Sequence, residues 1–132
     1  MINKLDLSTP EKAIISLEES YSSQNINAVF MCKDFEVEAE YLLKNQFPEL
    51  LKNKDALKET AEMLKLSLVK YLQDSGFPSF ENVHERNFST EKLPNGLIKV
   101  SETCIYKDGS RAVNEHHAIW KNDGWRVLNL EF

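Results

Sequence analysis

Glycine and proline are scarce, four of each in 132 residues, too few for a collagenous repeat or a flexible linker. Cysteine is scarcer still: Cys32 and Cys104 form no CxxC pair, and neither has the Cys/His spacing of a zinc site. The three histidines, His84, His116 and His117, contain no HxH or HxxxH pair. Adjacent strand residues point to opposite faces, so His116 and His117 do not chelate one ion, and no metal is expected. There is no GxSxG elbow, no GxGxxG and no Walker loop, which removes the footprints of a serine hydrolase and of nucleotide cofactors. No cofactor of any kind is expected. No apolar run approaches the ~18 residues of a membrane span. The opening MINKLDLSTPEK, with Asp6 and Glu11, lacks the apolar stretch of a signal peptide. A basic footprint is also missing, since net charge is -5, which disfavours nucleic acid and anionic membranes as partners.

What is there suits a single α+β domain over residues 1–132, with 42% hydrophobic and 28% charged residues, enough for a core. Charge is uneven. Asp6, Glu11, Glu18, Glu19, Asp34, Glu36, Glu38 and Glu40 face only Lys4, Lys12 and Lys33 in the first 40 residues, while the remainder is balanced. This acidic third reads either as solubilising charge or as a surface for a basic protein. Without a secretory signal, the two cysteines read as reduced, buried, small apolar residues, and the expected location is cytoplasmic.

The period changes near Gly76. Before it the signals are helical. Thr9 with Pro10, or Ser8 boxed with Glu11, starts a helix carrying Ala13, Ile14, Leu17 and Tyr21. Asn25 or Asn27 caps a short second helix through Cys32. Residues 35–47 conflict: Phe35, Val37, Ala39 and Tyr41 alternate as in a strand, yet Glu, Ala and Leu favour the helix adopted here. Pro48 restarts the chain, and Asp55 caps a long helix to about Asp74 with Leu57, Ala61, Leu64, Leu68 and Leu72 as its buried stripe. After Gly76, Asn95-Gly96, Asp108-Gly109 and Asp123-Gly124 read as two-residue hairpin turns. They separate strands at about 81–93, 97–106, 111–121 and 125–131, an antiparallel meander following three or four helices.

The segments TPEKAIISLEESYSSQNINAVF and HAIWKNDGWRVLNLEF carry a resemblance to the nuclear transport factor 2-like superfamily. The first resembles its long helix, polar bend and short second helix; the second resembles its closing aromatic strand pair. The resemblance implies a cone-like fold with a curved sheet and a pocket between sheet and helices. A first strand between the helices has a counterpart here only if FEVEAEY supplies it. The superfamily includes isomerases, dehydratases, small-ligand binders, assembly domains and bacterial immunity proteins, so fold leaves function open.

A two-residue turn at Asp108-Gly109 sets Glu102 opposite Glu115 and Val100 opposite His117. One face then carries Val100, Glu102, Cys104, Tyr106, Glu115 and His117, mostly apolar and turned toward the helices, with Arg86 of the preceding strand as neutraliser. Glu102, Glu115 and His117 are the candidate catalytic residues, because facing carboxyl groups under burial separate in proton affinity as acid–base chemistry requires. The other face carries Ile105, Asn114, His116 and Trp120, a candidate surface for a homodimer or partner. Trp120 and Trp125 are expected to clamp the final turn. Two functions follow. One is a non-catalytic binding protein, in its narrower form an immunity protein neutralising a basic toxin. The other is an isomerase- or dehydratase-type enzyme, or a carrier, holding a small apolar ligand.

Overall fold

The computed structural model describes residues 5–130. These form two compact units: the chain up to Lys33 with Pro78–Val127, and Asp34–Phe77 with the chain from Leu128 onward.

The first unit holds helices α1 (Pro10–Ser22) and α2 (Ile26–Met31). It also holds strands β1 (Val83–Lys92), β2 (Leu97–Tyr106), β3 (Arg111–Lys121) and most of β4 (Gly124–Leu128). Thr9 caps α1 by accepting the Lys12 N–H at 3.1 Å, with Pro10 at the first helical position where its missing N–H costs nothing. Asn25 caps α2 through the Ala28 N–H. The strands form one antiparallel meander in the order β1-β2-β3-β4, and α1 lies against β2 and β3. Ala13, Ile14, Leu17, Val29, Cys32, Leu97, Val100, Cys104, Ala118 and Val127 are its buried apolar residues. Both cysteines are free and buried. The Trp125 N–H donates to the Leu7 carbonyl, and a Cβ on Gly124 would come within 2.9 Å of Leu7 Cβ, so only glycine lets this segment approach the strand.

The second unit holds α3 (Phe35–Gln46), a 3-10 turn at Pro48–Leu50 and α4 (Lys54–Ser75). Asp34 Oδ1 accepts the Val37 N–H at 3.1 Å, and that cap settles the conflict over residues 35–47 in favour of helix. Glu38 is buried and accepts the Asn129 backbone N–H at 3.0 Å. The cap of α4 is Asn53, bonded to the Ala56 N–H, two residues before the expected Asp55. Gly76, at φ 80°, ends it. α3 lies along α4, and Ala39, Leu43, Ala61 and Leu72 are buried.

Helices first and an antiparallel meander after make an α+β fold, the element order that the resemblance implies. FEVEAEY lies in α3, so among the described residues no strand stands between the helices. Glu131, at the end of the last expected strand, lies outside the described residues.

The first two hairpin loops are one residue longer than expected, and the third turn is Asn122-Asp123 in place of Asp123-Gly124, with Gly124 already in β4. The β1–β2 loop is Pro94–Gly96, closed by Leu93 N–H to Leu97 O at 2.8 Å, with Asn95 at φ 66°. The β2–β3 loop is Lys107, Asp108 and Gly109, closed by Tyr106 N–H to Ser110 O at 2.8 Å. Gly109 takes φ +89° as its third residue, and Asp108 Oδ1 accepts both the backbone N–H and the hydroxyl of Ser110. The extra loop residue moves β3 by one position against β2, so Glu102 pairs with Asn114 and Val100 with His116. Because side chains alternate, every face assignment on β3 is reversed. His116 and Asn114 join Val100, Glu102, Cys104 and Tyr106 on the inner face, while Glu115 and His117 go to the outer face with Ile105. Trp120 follows the inner alternation but, at the strand end, is 53% exposed and meets Trp125 edge-on with ring centroids 5.9 Å apart.

Candidate functional site

The inner face of the meander carries a cluster of ionisable groups centred on Glu102, whose exposure is 0%. Its direct neighbours are Phe88 on β1 and Asn114 on β3. Its diagonal neighbours, Arg86 and His116, are long enough to reach it. His116 Nε2 lies 2.9 Å from Glu102 Oε1. An ionised carboxylate only accepts, so the imidazole donates. Arg86 Nε is 3.4 Å from Glu102 Oε2 and 2.8 Å from Oε1 of Glu18. Glu18 comes from α1, four residues after Ile14 on the same buried face, and is 2% exposed. Cys104, fully buried, is approached by Asn114 Nδ2 at 3.9 Å.

Two carboxyl groups out of water near one permanent cation cannot both keep ordinary acidity. Burial, then the nearness and the charge of the Glu102 carboxyl, push Glu18 up to about 8. Burial also acts to raise Glu102, but the hydrogen bond from His116 and the nearness of the Glu18 carboxyl outweigh it and hold it down to about 2. Burial and the Glu102 charge push the Cys104 thiol up to about 11, so it stays protonated at neutral pH.

One carboxyl oxygen each from Glu18 and Glu102 and the Cys104 sulfur lie within 4.8 Å of one another. A divalent ion there would share the space with the Arg86 guanidinium and would have to strip the thiol of its proton. The arrangement suits holding one proton in the interior. Of the two clefts described, one of about 350 Å³ is lined by Tyr41, Lys44, Asn45 and Leu130, and one of about 440 Å³ by Glu59, Glu62, Met63, Leu66, Ser67 and Lys70. No residue of the cluster lines either cleft.

The structure thus brings Arg86, Glu102 and Cys104 together and leaves Glu115 and His117 out. Glu115 lies on the outer face 3.5 Å from Lys99, with its side chain 55% exposed. Glu18 and His116 take the places that sequence reasoning gave to Glu115 and His117. The signal for Glu18 was present in its spacing: it sits on the apolar stripe of Ala13, Ile14, Leu17 and Tyr21.

No family model matches this chain, and no curated protein matches it. Among solved structures the chain is similar to a crystal structure from Campylobacter jejuni described as an NTF2-like transpeptidase. Identity is 11% and the TM-score 0.49, over 92% of this chain and 99% of that one. At that identity and score the likeness assigns neither a family nor an activity. No helix among the described residues is long and apolar enough to cross a membrane.

Proposed function

We propose that this chain is a non-catalytic binding protein that recognises another protein through the outward side of α4. The observation that carries this reading is the pair Met63 and Leu66, 51% and 59% exposed, in the groove rimmed by Glu59, Glu62 and Lys70. Steps of three or four lead from Glu59 to Glu62 and Met63, from both of these to Leu66, and from Leu66 to Lys70, so they share one helix face opposite the buried Ala61 and Leu72. An apolar centre with a charged rim is how recognition patches are built. The partner that fits presents an apolar protrusion, a basic group toward Glu59 and Glu62, and an acidic group toward Lys70.

The narrower form, neutralisation of a basic toxin by an immunity protein, draws its support from the net charge of -5. That support is smaller on the surface than in the sequence, because Glu18, Asp34 and Glu38 of the acidic third are buried. The enzyme reading would now rest on Glu18, Glu102 and His116, and it gains little from a central carboxylate with no exposure. Self-association through the outer sheet face is likewise less supported, since Lys99, Ser101, Thr103, Glu115 and His117 make that face polar. A reducing, cytoplasmic setting belongs to the same proposal, supported by two buried free thiols.

A photo-crosslinking side chain placed at Leu66, and separately at Val113 on the outer face, tests the reading in cells that make the protein. One defined protein captured from position 66, and lost when Met63→Glu is added, is the expected result. Capture from position 113 alone would overturn it.

A further inference from the structure

Glu18 Oε2 and Glu102 Oε2 are buried and accept no hydrogen bond. Both belong to carboxyl groups with oxygens within 4.8 Å of each other. Two unsatisfied acceptors on neighbouring carboxyl groups, out of water, have a simple resolution: a hydrogen between the groups makes one a donor to the other. The charges agree. Facing this point are Glu18 from α1, Arg86 from β1, Glu102 and the thiol of Cys104 from β2, and His116 with the neutral Asn114 from β3. With both carboxyl groups ionised, Arg86 alone faces two negative charges whenever the imidazole is neutral. With one proton added, Arg86 is matched by a single carboxylate.

We propose that Glu18 and Glu102 form a buried proton-binding site, holding one proton between them in the folded protein at neutral pH, and that releasing it loosens α1 from β2 and β3. One carboxyl group pushed up to about 8 and its neighbour held down to about 2 agree with this, as a pair sharing a proton titrates in two widely separated steps. The site needs no ligand and is independent of the α4 surface. The sign follows from linkage: an acid raised by folding favours the native state while protonated. The contribution of Glu18 is therefore fully present below its ordinary 4.5 and is lost as pH rises through about 8.

Carbon-13 NMR of the glutamate carboxyl groups in the wild-type protein is the direct test, with urea unfolding of wild type and Glu18→Gln from pH 5 to pH 9 beside it. Glu18 is expected to remain protonated at pH 6 and to titrate near 8, with the amide shifts of α1 following the same curve. Between the two values the wild-type folding constant falls by up to about tenfold per pH unit. Glu18→Gln, which keeps a donor at this position, is expected to abolish that slope. Ionisation of Glu18 below pH 5, or a variant with the wild-type slope, overturns the shared proton. Amides of α1 that stay fixed while Glu18 ionises overturn the loosening. Should the variant not fold, the wild-type titration decides alone.

Discussion

A single arginine holds the interior cluster together. Arg86 is its only permanent cation and touches both carboxyl groups, at 2.8 Å and 3.4 Å. Replacing it with Met keeps the stem and removes the charge, leaving an ionised Glu102 buried without it. Breaking such a pair by removing one partner costs about 3–5 kcal/mol. Arg86→Met is expected to lose about that much in urea unfolding at pH 7, where the surface pair Lys70–Asp74, 3.1 Å apart on exposed helix, would lose less than about 1 kcal/mol on the same treatment. At this scale the sequence was partly legible. Glu102 was nameable because an ionisable residue on an apolar strand face stands out, and Arg86 as the cation on the preceding strand that could neutralise it. Glu18 was masked by its acidic neighbours, although its spacing from Ile14 placed it inside.

Among the elements, the helices were readable because their ends are written locally. Thr9 and Asn25, both expected caps, and Asn53, two residues before the expected Asp55, each accept a backbone N–H three residues on, and Gly76 supplies the positive φ at the end of α4. Strand register is not written that way. It depends on how many residues a turn consumes, and Asp-Gly serves a two-residue loop as readily as the last two places of a three-residue loop. Gly109 at φ +89° is the residue that closes the longer form. Gly109→Ala is expected to cost about 1 kcal/mol in thermal unfolding, with the Glu102–Asn114 pairing retained in NMR contacts. The α4 surface makes the opposite prediction. Met63→Glu with Leu66→Glu is expected to change stability by no more than about 0.5 kcal/mol per site, since neither side chain is in the core, while abolishing partner capture.

Over the whole molecule, the two carboxyl groups of the cluster pull stability in opposite directions along the pH axis. Glu102, depressed by folding, contributes above its ordinary 4.5 and loses that contribution as pH falls toward about 2. Glu18 loses its contribution from 4.5 upward to about 8. A series of urea midpoints from pH 3 to pH 9 is therefore expected to peak near pH 5 and to decline on both sides. A plateau from pH 5 to pH 8 would contradict the assignment. The sequence pI is about 5.2, so the chain is held most firmly near the pH at which its molecules repel one another least. The overall charge could be counted from the sequence, but its placement could not. Three acids of the N-terminal third, Glu18, Asp34 and Glu38, are spent inside, one in the cluster and two on backbone N–H groups of the second unit.

The three-residue loop at Lys107–Gly109 also has an evolutionary reading. Loss of one residue there would slide β3 back by a single step and present Glu115 beside Glu102 in place of Asn114. Three carboxyl groups would then crowd one guanidinium. The tandem His116-His117 would still offer an imidazole on the inner side in either alignment, so the histidines tolerate the slip and the glutamate forbids it. Single-residue deletions in this turn should therefore be among the least forgiven in the chain, although the turn itself lies in solvent and touches no site.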